Sequence, residues 1–103
     1  MLQLLTQELK QGLRAIYGDT LKGVYLFGSY ARGEQSDDSD VDVVIVLEHL
    51  RRYGEEIERT GELISSISLK YNLTVSRVFC DLDQWNHSQL PLFLNIRSEA
   101  VAI

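Results

Sequence analysis

The chain has 103 residues, of which 45% are hydrophobic and 24% charged, values that fit one globular core and leave little chain for a second. A formal charge of -5 argues against broad electrostatic binding of nucleic acid, which needs a basic face to neutralise phosphates, and suits a basic protein partner instead. No stretch is apolar and long enough to cross a membrane, no basic region precedes an apolar run at the N-terminus, and the lone Cys80 cannot form an internal disulfide; the expectation is a cytoplasmic single domain over residues 1–103.

Leu2, Leu5, Leu9, Leu13 and Ile16 recur at three- and four-residue steps, which predicts a helix from about Leu2 to Tyr17 with one apolar stripe, stopped by Gly18. Val24 to Phe27 follows as an unbroken apolar strand with both faces covered. Gly28-Ser29 comes next. A glycine directly after a strand lets the backbone approach a phosphate, and a following helix start offers free N–H groups; Ser29 reads either as part of such a cradle or as a plain helix cap. Arg32 reads either as a solvated surface residue or as a phosphate clamp through its planar fork of donors.

The segment from Glu34 to Ser39 is a polar loop, with Asp37 and Asp38 as solvated or turn-forming residues. Asp40-Val41-Asp42 then opens a β-branched strand that runs to Leu47. Strand residues two apart share a face, so Asp40 and Asp42 project together, roughly 6 to 7 Å apart at their α-carbons. Paired carboxylates on a rigid strand are a metal-binding arrangement, and a hard ion such as Mg2+ is held by one or two carboxylates together with substrate phosphates, so a nucleotide is the expected companion.

Glu48 to Arg52 is a charged connector, and a long helix follows to about Tyr71, its inner stripe formed by Tyr53, Ile57, Thr60, Ile64, Ile67 and Tyr71. Asn72 marks a turn. Leu73 to Cys80 is the third strand, with Ser76 and Arg77 on opposite faces. Asp81-Leu82-Asp83 repeats the Asp-x-Asp spacing, but in a turn beside Gln84, Trp85 and Asn86, where aspartate ordinarily caps or bonds local backbone. Pro91 opens a final helix over Leu92 to Glu99, with Leu92, Phe93 and Ile96 toward the sheet, and Val101 to Ile103 forms an edge strand. His49 and His87 have no metal-ligand spacing, and Trp85 and the tyrosines read as core and rim aromatics.

Gly28-Ser29, ten intervening residues and then Asp40-Val41-Asp42 resemble the GS-x10-DxD signature of the nucleotidyltransferases of the DNA polymerase β superfamily. In a chain of this size the pattern should arise by chance on the order of once in a thousand. The short length, Gly-Ser-Tyr-Ala-Arg-Gly and Asn95-Ile96-Arg97-Ser98-Glu99 are similar to the minimal nucleotidyltransferases, often antitoxins paired with HEPN-domain toxins. The resemblance implies an α/β two-layer fold with a small mixed sheet. It also implies Asp40 and Asp42 as catalytic metal ligands, Gly28, Ser29 and Arg32 as nucleotide ligands, and Mg2+-dependent transfer of AMP from ATP to a tyrosine hydroxyl of a HEPN-type toxin. Many members add a third carboxylate from a neighbouring strand; Leu73 to Cys80 contains none, and Asp81 could serve only after a slip of register. A non-catalytic antitoxin and a small-molecule nucleotidyltransferase are the alternatives.

Overall fold

A computed structural model describes residues Met1–Ile103. Helix α1 spans Leu2–Tyr17, strand β1 Leu21–Phe27, the one-turn helix α2 Ser29–Arg32, β2 Val41–Leu47, α3 Tyr53–Tyr71, β3 Val75–Asp81, α4 Leu82–His87, α5 Pro91–Glu99 and β4 Val101–Ala102, with a 3-10 turn over Gly18–Thr20. The strands form one sheet in the order β3-β2-β1-β4. β1 pairs antiparallel with both β2 and β4, while β2 and β3 run parallel with α3 as their connection, so the sheet is mixed.

β2 is the centre of the fold because its β-branched run buries both faces. Val41, Val43, Ile45 and Leu47 meet Leu5, Leu9 and Leu13 of α1 and Ile64 and Ile67 of α3. Those three leucines have no exposed surface, and burial of each contributes about 2 kcal/mol. On the opposite face Val44 and Val46 pack with Cys80, Phe93 and Ile96 under the short helices α4 and α5. The expected stripes hold with corrections at their edges. Leu92 is half exposed, and Tyr53 lies at the start of α3 with its hydroxyl accepting the Phe79 N–H at 3.1 Å. β1 begins three residues before Val24, since Leu21 and Gly23 still pair with Leu47 and Val46 across an irregularity at Lys22. The turn expected around Asp83 and Trp85 is the one-and-a-half-turn helix α4, started by a capping box in which Asp81 accepts from Gln84 N–H at 2.8 Å and Gln84 Oε1 accepts from Asp81 N–H at 3.1 Å.

Candidate active site

The register of β1 on β2 places Phe27 opposite Asp42, so the turn that leaves β1 lies beside the carboxylate that enters β2. Gly28 makes that turn at φ 74°, and a Cβ built on it would stand 2.3 Å from Asp42 Oδ2. Both the left-handed backbone and the close approach require glycine. Ala31 and Arg32 donate their N–H groups to the Gly28 carbonyl, each at 3.1 Å, and Gly33 closes α2 in the left-handed region. Gly28 occupies the cap position itself and no side chain caps this helix, so the plain cap reading of Ser29 is not what the structure forms.

Asp42 is half-buried and Asp40, just ahead of the strand, is exposed. Burial first, and the negative charge of Asp40 second, push the Asp42 carboxyl above the usual carboxylate range, with Arg32 pulling the other way. Neither aspartate belongs to an ion pair. Two crowded carboxylates, one of them partly desolvated and without a cation, fit a hard divalent ion that completes its shell with water and phosphate oxygens. No group of three histidine, cysteine, aspartate or glutamate side chains converges to hold a metal anywhere in the molecule.

The third strand settles where the remaining candidates stand. Asp42 pairs with Ser76, so the position beside the paired aspartates on β3 carries a hydroxyl and no carboxylate. Asp81 pairs with Leu47 at the other end of the sheet. Five residues of strand separate it from Ser76, about 16 Å, and its carboxylate is committed to α4, which removes it as a third ligand. Arg77 shares the face of Val43, where its Nε donates to Thr60 Oγ1 and its Nη2 to the Ile57 carbonyl, both at 2.9 Å. It satisfies the only buried polar side chain of the core, Thr60, and cannot reach a phosphate from there. Asp37 and Asp38 lie exposed in a loop closed by Ser36 and Ser39.

Arg32 is neither a free surface arginine nor a lone clamp. Its Nη1 donates to Glu99 Oε2 at 2.8 Å and its Nε to Glu34 Oε2 at 3.0 Å. Glu99, at the end of α5, also accepts the Gly28 N–H on Oε1 at 3.1 Å. Those two donors hold its carboxyl below the ordinary value, Arg32 first and the Gly28 amide second. The sequence reading missed this residue as part of the site. One signal was available: a glutamate closing a helix opposes the negative end of the helix dipole and calls for a compensating donor. A surface groove of about 700 Å³ runs elsewhere, along Gln3, Gln7, Lys10 and Arg14 of α1 beside the C-terminal residues, and contains none of these groups.

Comparison with known proteins shows the family and the fold. The family model for the nucleotidyltransferase domain matches residues 6–93. "Putative protein adenylyltransferase MJ0141" of Methanocaldococcus jannaschii is 38% identical over 72 residues, which cover 70% of this chain and 72% of that protein. The protein adenylyltransferase MntA of Thermococcus cleftensis is 33% identical over 66 residues, 64% of this chain and 65% of its own length. Among solved structures, a toxin–antitoxin complex with AMP-PNP superposes with a TM-score of 0.68 at 20% identity, over 93% of this chain and 69% of that one. The complex of a tri-AMPylated Shewanella oneidensis HEPN toxin with its MNT antitoxin superposes with a TM-score of 0.64 at 20% identity, over 99% and 71%. At that identity the superpositions speak for the fold, and the sequence matches speak for the family. With its Gly-Ser turn set against paired aspartates on a mixed sheet, the chain belongs to the nucleotidyltransferase family.

Proposed function

We propose that residues 1–103 act as a minimal protein adenylyltransferase and antitoxin, which transfers AMP from ATP to a tyrosine hydroxyl of a HEPN-type toxin. The observation that carries the reading is the contact of Gly28 with Asp42, which puts a phosphate-sized turn and a metal-type carboxylate pair at one point of the molecule. The names of the relatives, and the HEPN toxin bound in one structural neighbour, point to the acceptor.

In this reading Asp40 and Asp42 hold Mg2+, and the Ser29 hydroxyl and Arg32 meet the phosphates. Gly28 contributes its shape and its missing side chain, since its N–H is already bonded to Glu99. When bound, the ion neutralises the triphosphate and aligns the attacking and leaving oxygens. Arg32 has five N–H hydrogens, of which the two carboxylates engage two, so three remain for phosphate oxygens. The tyrosine oxygen bonds to the α-phosphorus while the bond from that phosphorus to the oxygen bridging to the β-phosphate breaks, releasing pyrophosphate and a proton. With one small core in 103 residues, little of the domain remains to enclose an acceptor, so acceptor choice comes from a docked protein surface. A reaction fed by ATP, and a lone buried thiol, agree with a cytoplasmic setting, and no helix is long and apolar enough to cross a membrane.

One observation favours a second reading, a non-catalytic antitoxin: β3 supplies no third carboxylate. Mass spectrometry separates the two. Toxin incubated with this protein, ATP and Mg2+ should gain one or more AMP masses, and Asp40→Asn should abolish the gain. Neutralisation at unchanged toxin mass, with Asp40→Asn equally protective, would establish the binding-only antitoxin.

A further inference from the structure

Glu99 is the one charged side chain that connects the last helix to the proposed phosphate turn, and its surroundings are unusual for a surface glutamate. It ends α5, where the helix dipole opposes a negative charge. Its side chain is only 23% exposed. Its two oxygens are divided between two targets of different kind: Oε1 takes the backbone N–H of Gly28 at 3.1 Å and Oε2 takes the guanidinium of Arg32 at 2.8 Å. A carboxylate bonded to one backbone donor and one arginine fixes both, because a charge-assisted pair is short and directional. The atoms so fixed are the ones that matter for the site, since Gly28 leaves no room for a Cβ against Asp42. Phe93 and Ile96, fully packed on the sheet, anchor the helix that carries Glu99.

We propose that Glu99 is the positioning residue of this nucleotide site: it clamps the Gly28 turn and the Arg32 guanidinium in one arrangement beside Asp42, so that the end of α5 sets the geometry of a turn that belongs to β1. This rests on the nucleotide reading above for its functional half, and on the hydrogen bonds alone for its structural half. Glu99 differs in role from a third metal carboxylate, because both of its oxygens already accept from donors and no three-carboxylate group forms.

The test has two arms. In the protein without nucleotide, amide hydrogen exchange at Gly28, read by NMR, should quicken by about tenfold or more in Glu99→Ala, and far less in Glu99→Gln, whose amide oxygen can still accept that bond. Unchanged Gly28 exchange in Glu99→Ala overturns the proposal. In the second arm, calorimetry with Mg·ATP should show Kd raised about tenfold in Glu99→Ala. Because Glu99 acts through Arg32, the Glu99→Gln/Arg32→Ala double variant should bind no more weakly than Arg32→Ala alone. Tighter binding in Glu99→Ala would mean that Glu99 competes with phosphate for the turn, and fully additive losses would mean an independent role; either result overturns the proposal. If the unmodified protein itself fails to bind Mg·ATP, the nucleotide reading falls, while the Gly28 exchange still decides whether Glu99 holds the turn.

Discussion

At Asp42 the chain places a carboxylate where loss of solvent and a like charge both disfavour its ionised form. Burial and Asp40 push its carboxyl upward, and no ion pair relieves it. A group that raises the energy of the folded protein by itself is well suited to a ligand of opposite charge. Asp40→Asn with Asp42→Asn should therefore fold at least as stably as the unmodified chain, with a melting temperature equal or slightly higher, since the change relieves the crowding of two carboxylates. In the same double variant the dependence of ATP binding on Mg2+ should vanish, as measured by calorimetry with and without EDTA. A collapsed circular dichroism spectrum would instead make the aspartates structural.

At the scale of elements, the two Asp-x-Asp stretches show how context divides identical spacing. The first enters a central strand beside a glycine turn; the second leaves an edge strand and starts a helix. Asp81 belongs to a capping box, so Asp81→Asn, which keeps a cap-competent side-chain oxygen, should lower stability by less than about 1 kcal/mol, whereas Asp81→Ala should lower it by about 1 kcal/mol. Neither should reduce nucleotide transfer more than a fewfold, because β3 carries Asp81 to the end of the sheet remote from Asp42. Thermal melts paired with the AMP-transfer assay check both halves, and a loss as deep as that of Asp40→Asn would refute the register.

Across the whole molecule the opposite sheet face behaves as one unit. Cys80 of β3 sits fully buried beside Val46, packed with Phe93 and Ile96, and burial, followed by the charge of Asp81, pushes its thiol up to about 12. At pH 8 the folded protein should contain almost no thiolate, and alkylation by iodoacetamide should proceed only through opening of the sheet, at least a hundredfold more slowly than in 6 M guanidinium. Fast labelling of the native protein would show that α4 and α5 lift from the sheet independently. The other face is tied across helices: Glu8 of α1 accepts from Lys70 and from the Tyr71 hydroxyl of α3, and Tyr17 donates to Glu56 at 2.7 Å.

Much of this was legible in the linear chain, because its causes are local. The period of Leu5, Leu9 and Leu13 and the β-branched run of β2 each act through neighbours a few residues apart, so α1 and β2 could be read directly, while the spacing of Gly28-Ser29 and Asp40-Val41-Asp42 named candidate groups that only the pairing of β1 on β2 brings side by side. The start of β1 at Leu21 could not be read so, since its first residues are held only by pairing to Leu47 and Val46. The same holds for Arg77, which the alternation of β3 puts on one face but which only α3 turns into a partner of Thr60. For Glu99 the sequence offered only that a glutamate closing a helix needs a donor, not which donor. Glu99 stands 71 residues from the Gly28 amide it accepts, and its place at the site follows from α5 folding back across the sheet under the packing of Phe93 and Ile96. Side-chain type and spacing determined which groups could be singled out along the chain; long-range packing decided which of them stand together at the Gly28 turn, and what holds them there.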